Sequence, residues 1–166
     1  MSKNTSNLIA QMIIGGVVAV VVFFAVTFYA GAQIKKARFA VDALQQYLQS
    51  YNLVEQKAIE RLSDLPDFYL VSPSASLSLK SSDLKQGVNN GYVYDLQYLG
   101  KDKFVISASP AGTFAFYEFG ITDKGILRMN NKSVDVNADS YEEVEQWPTI
   151  TREERIRSKD LPAYLK

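Results

Sequence analysis

The chain has 166 residues, with 18 Lys+Arg balanced by 18 Asp+Glu and neither His nor Cys. That length holds about one domain of ordinary size. The missing residue types remove the commonest general base, thiol nucleophiles, disulfides, iron–sulfur clusters and most zinc or copper chemistry. A balanced charge also argues against nucleic acid as a partner, since a nucleic-acid binder carries a basic excess.

After a short segment, 1–7, the 27 positions from Leu8 to Ile34 carry no charge. A bilayer core needs about 20 apolar helical residues, and at about 1.5 Å per residue this stretch reaches about 40 Å. It reads as a single-pass transmembrane helix, 8–34. A cleaved signal peptide is the competing reading, but its apolar region is usually only ~7–15 residues. Gly15, Gly16, Ala19, Ala25, Ala30 and Gly31 offer small surfaces for close helix packing. Lys3 precedes the span and Lys35, Lys36 and Arg38 follow it. Taken literally, the positive-inside rule puts the rest of the chain in the cytoplasm, by a margin of about one charge that a long domain can override, so both sides stay open.

Residues 35–66 read as an amphipathic stalk helix, free of Gly and Pro until Pro66. Val41, Leu44, Leu48, Tyr51, Ala58 and Leu62 recur at three- and four-residue steps. Pro66 is the expected stop, because the residue before proline avoids the helical region. The stripe packs either on the protein's own sheet or on neighbouring subunits; the sequence supports both.

Residues 67–150 read as an antiparallel β-rich domain. A Ser-rich connection holds an edge-strand pattern at Ala75–Leu79. Turn signals then follow at Asn89-Asn90-Gly91, at Gly100–Lys103, at Pro110–Gly112 and at Thr122–Gly125. Between them lie the strand patterns Tyr92–Leu99, Phe104–Ala108, Phe114–Ile121 and Ile126–Met129. A helix followed by a run of strands gives an α+β fold with the helix on one sheet face. Between residues 63 and 150 the chain has seven Lys/Arg and twelve Asp/Glu, net −5. Residues 151–166 carry +2 and begin with Thr151-Arg-Glu-Glu154, a capping box. They read as a C-terminal arm, closed by the apolar Leu161-Pro-Ala-Tyr-Leu165.

Three positions point to metal. Asp135, Asn137 and Asp139 have the one-three-five oxygen spacing of a calcium loop, although Ser140 and Gln146 stand where such a loop carries Gly and Glu. The alternative is helix capping, with Ser140 and Glu143 as a capping box. Calcium is accordingly the one cofactor the sequence raises. Trp147, the single Trp, reads as a core plug or as an anchor for a partner. No phosphate loop, dinucleotide fingerprint or nucleophile elbow is present, so the chain reads as a non-enzyme without a small-molecule substrate.

Two stretches carry a family resemblance. Leu8-Ile-Ala-Gln-Met-Ile resembles the start of the hydrophobic helix of type IV pilins and type II secretion pseudopilins. The run Gly91-Tyr-Val-Tyr, then a strand ending Ala108-Ser-Pro110, then one ending Asp123-Lys-Gly125 is similar to the sheet of many pilin-like proteins. The resemblance covers about residues 8–147. Ala10 stands at the family's glutamate position, and no glycine–phenylalanine cleavage junction precedes Leu8.

The resemblance implies a structural subunit that assembles through its N-terminal helix with like or unlike subunits, its domain in the periplasm or outside the cell. Leu44, Leu48, Tyr51, Leu62 and Trp147 are the residues expected at subunit contacts. The departures equally suit an accessory or scaffolding subunit of a membrane complex, docking a protein partner through the domain and the C-terminal arm.

Overall fold

The computed structural model describes the backbone of residues 3–10 and, in full, residues 11–112, 115, 117–130 and 140–150. The chain divides into two compact units, residues 1–32 and residues 33–166. Helix α1 (Lys3–Glu55) supplies the first unit and opens the second.

In the first unit the large described apolar side chains stand exposed around the helix, Ile14, Val21, Phe24 and Phe28 among them, Phe28 at 82 %. The most apolar window of α1 has a mean hydropathy of 2.5, long and apolar enough to cross a membrane. By length and composition it fits a membrane anchor or a signal sequence. The Thr27 hydroxyl donates to the Phe23 carbonyl at 2.8 Å, so it is satisfied without water.

The second unit is α+β, with the end of α1 packed against a small antiparallel sheet. A pair, β1 (Tyr69–Val71) and β2 (Ser78–Lys80), stands apart from five strands, β3 (Val88–Asn89), β4 (Tyr92–Gly100), β5 (Lys103–Pro110), β6 (Glu118–Thr122) and β7 (Arg128–Asn130). The five form a meander in sequence order, every pair antiparallel. Two short helices complete it, α2 (Ser81–Lys85) and α3 (Tyr141–Gln146).

The hairpins lie where the turn chemistry puts them. Asn90 and Gly91 take φ of 51° and 78°, the paired positive values of a tight hairpin. At the β4–β5 turn, Lys101 and Asp102 take φ of 51° and 63° without a glycine between them. The preceding Gly100, at φ 81°, supplies the irregularity at the end of the ladder.

The helix end departs from expectation. The stalk helix predicted over 35–66 stops at Glu55, and Leu62 lies instead in a separate 3-10 turn, Leu62–Asp64. Gln56 sits in the left-handed region at φ 51°, its N–H donating to the Asn52 carbonyl at 3.0 Å. This is a left-handed C-terminal cap, made by a Gln where Gly is usual. The chain then folds back, and Ile59, Leu65, Phe68, Leu70, Leu79 and Leu84 join one core with the helix.

That return encloses the helix. Every residue from 37 to 48 except Arg38 and Gln46 is buried. Ala37, Ala40 and Ala43 let neighbours approach closely, while Val41, Leu44 and Leu48 meet the core that includes Tyr92, Leu96, Ile106, Phe119 and Ile121. On another side Tyr47 lies against Phe68, ring centroids 4.3 Å apart. Polar side chains are enclosed as well: Asp42 is 1 % exposed and accepts from Gln46 Nε2 at 3.1 Å. Along its length the helix passes from the β3–β4 turn, where Lys36 Nζ donates to Asn90 Oδ1 at 3.3 Å, to the β6–β7 turn, where Gln49 Nε2 donates to the Asp123 carbonyl. Burial pushes the Tyr92 phenol on the facing strand up to about 12.

Leu44 has no exposed surface. Leu44→Ala is expected to cost about 2–5 kcal/mol, whereas Leu53→Ala, at a site 81 % exposed, should stay within about 0.5 kcal/mol. Urea denaturation of the detergent-solubilised chain, followed by the fluorescence of Trp147, checks both.

Candidate functional site

The sheet carries a second layer. Along β5, Phe104, Ile106 and Ala108 face the core with α1, while Val105 faces away and joins Tyr141, Val144 and Trp147 in a smaller cluster. Strand β6 is buried along its whole length, with Phe119 and Ile121 toward α1 and Glu118, Gly120 and Thr122 toward α3. Gly120 makes this possible. A Cβ there would stand 2.7 Å from Val144 Cγ1 and 3.0 Å from the Trp147 ring. Trp147 is 6 % exposed and plugs the outer face of the sheet; it does not stand out as an anchor for a partner.

Helix α3 is fixed at both ends. Ser140, extended at φ −68°, accepts from the Glu143 N–H through its side chain at 3.3 Å, which is the capping arrangement read from the sequence. At the other end the Trp147 carbonyl accepts from Arg128 Nη1 at 2.9 Å. Residues 148–150 then run beside β7: Met129 N–H donates to the Pro148 carbonyl at 2.9 Å and Ile150 N–H to the Leu127 carbonyl at 3.2 Å.

Glu145 is the hub of this face. Its carboxylate accepts from Thr122 Oγ1 and Lys124 Nζ, each at 2.6 Å, and lies 3.8 Å from Arg128 Nη2. Burial pushes its pKa up, but the hydrogen bonds from Lys124 and Thr122 and the two cations outweigh it, and the group lies below its usual value of 4.5. Lys103 and Lys124 each stand 5.7 Å from the Tyr141 ring centroid. The Tyr141 phenol is raised, first by burial and then by the Asp123 carboxylate. The whole set joins α3 to the sheet: its partners are protein groups already, and it has the character of a structural clasp.

A cleft of about 430 Å³ opens at the β4–β5 turn, lined by Gln49, Asn52, Leu53, Asp102, Phe104 and Asp123. Asn52 Oδ1 and Asp123 Oδ1 are buried there and accept no hydrogen bond among the described residues. Leu53 stands on its rim, 81 % exposed.

The residues expected at subunit contacts fall in different places. Leu44 and Leu48 lie in the domain's own core, as the own-sheet reading of the stripe had it. Tyr51 and Leu62 are half-buried against that core, and Trp147 belongs to the outer cluster. Asp135, Asn137 and Asp139, the calcium candidates, and the arm 151–166 lie outside the described residues. Among the described residues no three His, Cys, Asp or Glu side chains are grouped to hold a metal. Comparison of the chain with family models, with curated proteins and with solved structures returns no match.

Two outcomes test the clasp. Gly120→Ala should cost about 1–3 kcal/mol, as overpacking does, and red-shift the Trp147 emission by lifting the ring from the sheet. Glu145 is lowered in the folded chain, so the stability it contributes is present above its ordinary value and is lost as pH falls through the folded one. The stability gap between the native chain and Glu145→Gln, from urea melts, should be constant at neutral pH and close below about pH 4.5.

Proposed function

We propose that the chain is a non-enzymatic structural subunit, pilin- or pseudopilin-like, held in the membrane by a single retained helix and assembling through that helix with like or unlike subunits. One observation supports this above the rest. Gly15, Gly16 and Gly31 lie within a helix where each costs about 1 kcal/mol relative to Ala, and a Cβ at any of them would meet nothing within 4 Å. The chain itself gives these glycines no packing reason to be there. Close contact with a neighbouring helix in the membrane does, because without a hydrophobic drive between helices, small residues let backbones approach. The exposed apolar surface from Met12 to Phe28 suits lipid or a neighbour; in the second unit α1 is mostly buried from residue 37 to residue 48.

The enclosure of residues 37–48 also favours a second reading. A neighbour has no access to Leu44 or Leu48, so contacts along α1 would be confined to the first unit and to the exposed positions at either end of the enclosed stretch. Together with Ala10 at the glutamate position, this suits an accessory subunit of a discrete membrane complex as well as a filament. The filament reading puts the domain outside the cytoplasm; the accessory reading also admits a cytoplasmic domain, the side favoured by Lys35, Lys36 and Arg38.

Intact mass spectrometry of membrane-extracted protein tests the anchor. A mass of 18.6 kDa, that of the whole chain, is expected; loss of the apolar stretch would establish a cleaved signal sequence. Assembly is tested by the double variant Gly15→Leu, Gly16→Leu. It should release monomers on a detergent sucrose gradient while leaving the urea midpoint of the domain unchanged, and native-sized assemblies from that variant would refute the helix-mediated reading. The chain lacks Cys, so Lys101→Cys gives a single label site: an impermeant maleimide should reach it in intact cells, and protection until lysis would put the domain in the cytoplasm.

A further inference from the structure

The chain enters its second unit at Gln33, and three stretches meet around that entry. Gln33 lies against the β3–β4 turn, where a Cβ on Gly91 would stand 3.1 Å from Gln33 Oε1. The Gly91 carbonyl in turn accepts from the N–H groups of Ala111 and Gly112, at 2.8 and 3.0 Å. Three residues further along α1, Lys36 Nζ donates to Asn90 Oδ1 at 3.3 Å. Lys35 and Lys36 are both exposed, as are Ala111 and Gly112.

No carboxylate balances the two lysines. Neither forms an ion pair among the described residues, and the next acidic residue along α1, Asp42, is 1 % exposed. An ammonium has three N–H donors, so the contact with Asn90 leaves others on Lys36 free to bind. The acidic side chains Glu55, Asp102 and Asp123 belong to the far end of the unit, where α1 stops.

Chain length sets the depth of this pair. Residue 32 ends the first unit, and Lys35 is three residues beyond it, at most about 11 Å when fully extended. With 8–34 across a bilayer, both lysines therefore stand in the headgroup layer, about 5–8 Å deep on each side, or within a side chain's reach of it. This holds whatever angle the two units adopt. An anionic surface favours each lysine held near it by about fivefold.

We propose that this end of the second unit is a docking surface for anionic phospholipid. Lys35 and Lys36 meet the negative headgroups, and the Asn90-Gly91 turn and Ala111 rest beside them. The surface gathers acidic lipid around the anchor and holds the near end of the domain at the membrane. The proposal rests on the anchor reading above and is independent of assembly and of the side on which the domain lies.

Lipid selectivity of the full chain tests it. Ala111→Cys, a single thiol in a chain without native Cys, carries a fluorescent donor after reconstitution in vesicles of phosphatidylcholine and phosphatidylglycerol in equal parts. Energy transfer to a trace of acyl-labelled phosphatidylglycerol is compared with transfer to acyl-labelled phosphatidylcholine. Phosphatidylglycerol should be enriched several-fold at the label. Lys35→Gln with Lys36→Gln should bring the two lipids near parity with the urea midpoint unchanged, and Lys35→Arg with Lys36→Arg should keep the enrichment. Lys57→Gln with Lys101→Asn removes two exposed lysines from the far end of the domain and should leave it intact; Asn suits the left-handed backbone at 101. Equal transfer to both lipids in a native chain that resists alkaline carbonate would overturn this proposal alone. So would enrichment that survives the loss of Lys35 and Lys36, or that is lost equally in the far-end variant. Extraction of the native chain from the vesicles by carbonate would overturn the anchor, and this proposal with it.

Discussion

The second unit depends on the enclosure of one stretch of helix, residues 37–48. A helix laid on a sheet buries a single stripe and leaves its far side to water. Here the chain turns back at Gln56 and packs Ile59, Leu65, Phe68, Leu70, Leu79 and Leu84 into the same core as the helix and the sheet. The three alanines at 37, 40 and 43, which look like mere helix formers in the sequence, then act as close-contact positions. Asp42 and Gln45 are drawn inside as well, and a buried carboxylate is tolerated because the Gln46 amide meets it from the next turn of the helix. Because residues 41, 44 and 48 face inward, any partner has to engage the chain elsewhere.

The sheet repeats this on a smaller scale. Strand β6 is covered on both faces, by α1 and by α3, and its pattern is uniformly buried where an exposed antiparallel strand would alternate. A six-residue helix has too little surface to hold itself in place. It is held by Val144 and Trp147 pressed against the bare backbone of Gly120 and by Glu145, which draws together Thr122, Lys124 and Arg128 from β6, the following turn and β7. Packing brings α3 close to the sheet, and the ionic network fixes its register there. Most of the network is partly shielded, the Glu145 side chain being 18 % exposed, so its charges are less screened than those of the open Lys85–Asp67 pair.

Much of this was legible in the residues, for identifiable reasons. The apolar run from Leu8 to Ile34 is read from composition alone. The meander follows from Asn-Gly and Gly-Lys-Asp turns, whose backbone preferences are local, and Ser140 to Glu143 marks the start of α3. The helix stop was not legible, because Gln56 has no preference for the left-handed region that it occupies; Pro66 offered the nearest visible stop, ten residues too late. The enclosure was equally hidden, since a stripe at three- and four-residue spacing does not say how many neighbours surround a helix. Trp147 was readable only together with Gly120, two positions 27 residues apart that no local pattern connects. The cleft was missed for the same reason: Asn52, Asp102 and Asp123 come from α1 and two separate turns.

The two units differ in where their apolar groups find cover. In the second, nearly all the described large apolar side chains are matched inside the chain, and the exceptions among them are few: Leu53 and Val54 where the helix ends, Tyr69, Val88, Leu99 and Ile126 elsewhere. In the first, every large apolar side chain from Met12 to Phe24 is more than half exposed, and nothing among the described residues stands within 4 Å of a Cβ at its glycines. Leaving that much contiguous apolar surface in water is beyond what a soluble monomer tolerates. The first unit therefore suits an apolar medium, as a membrane anchor or a signal sequence does, whereas the described core of the second is matched within its own residues.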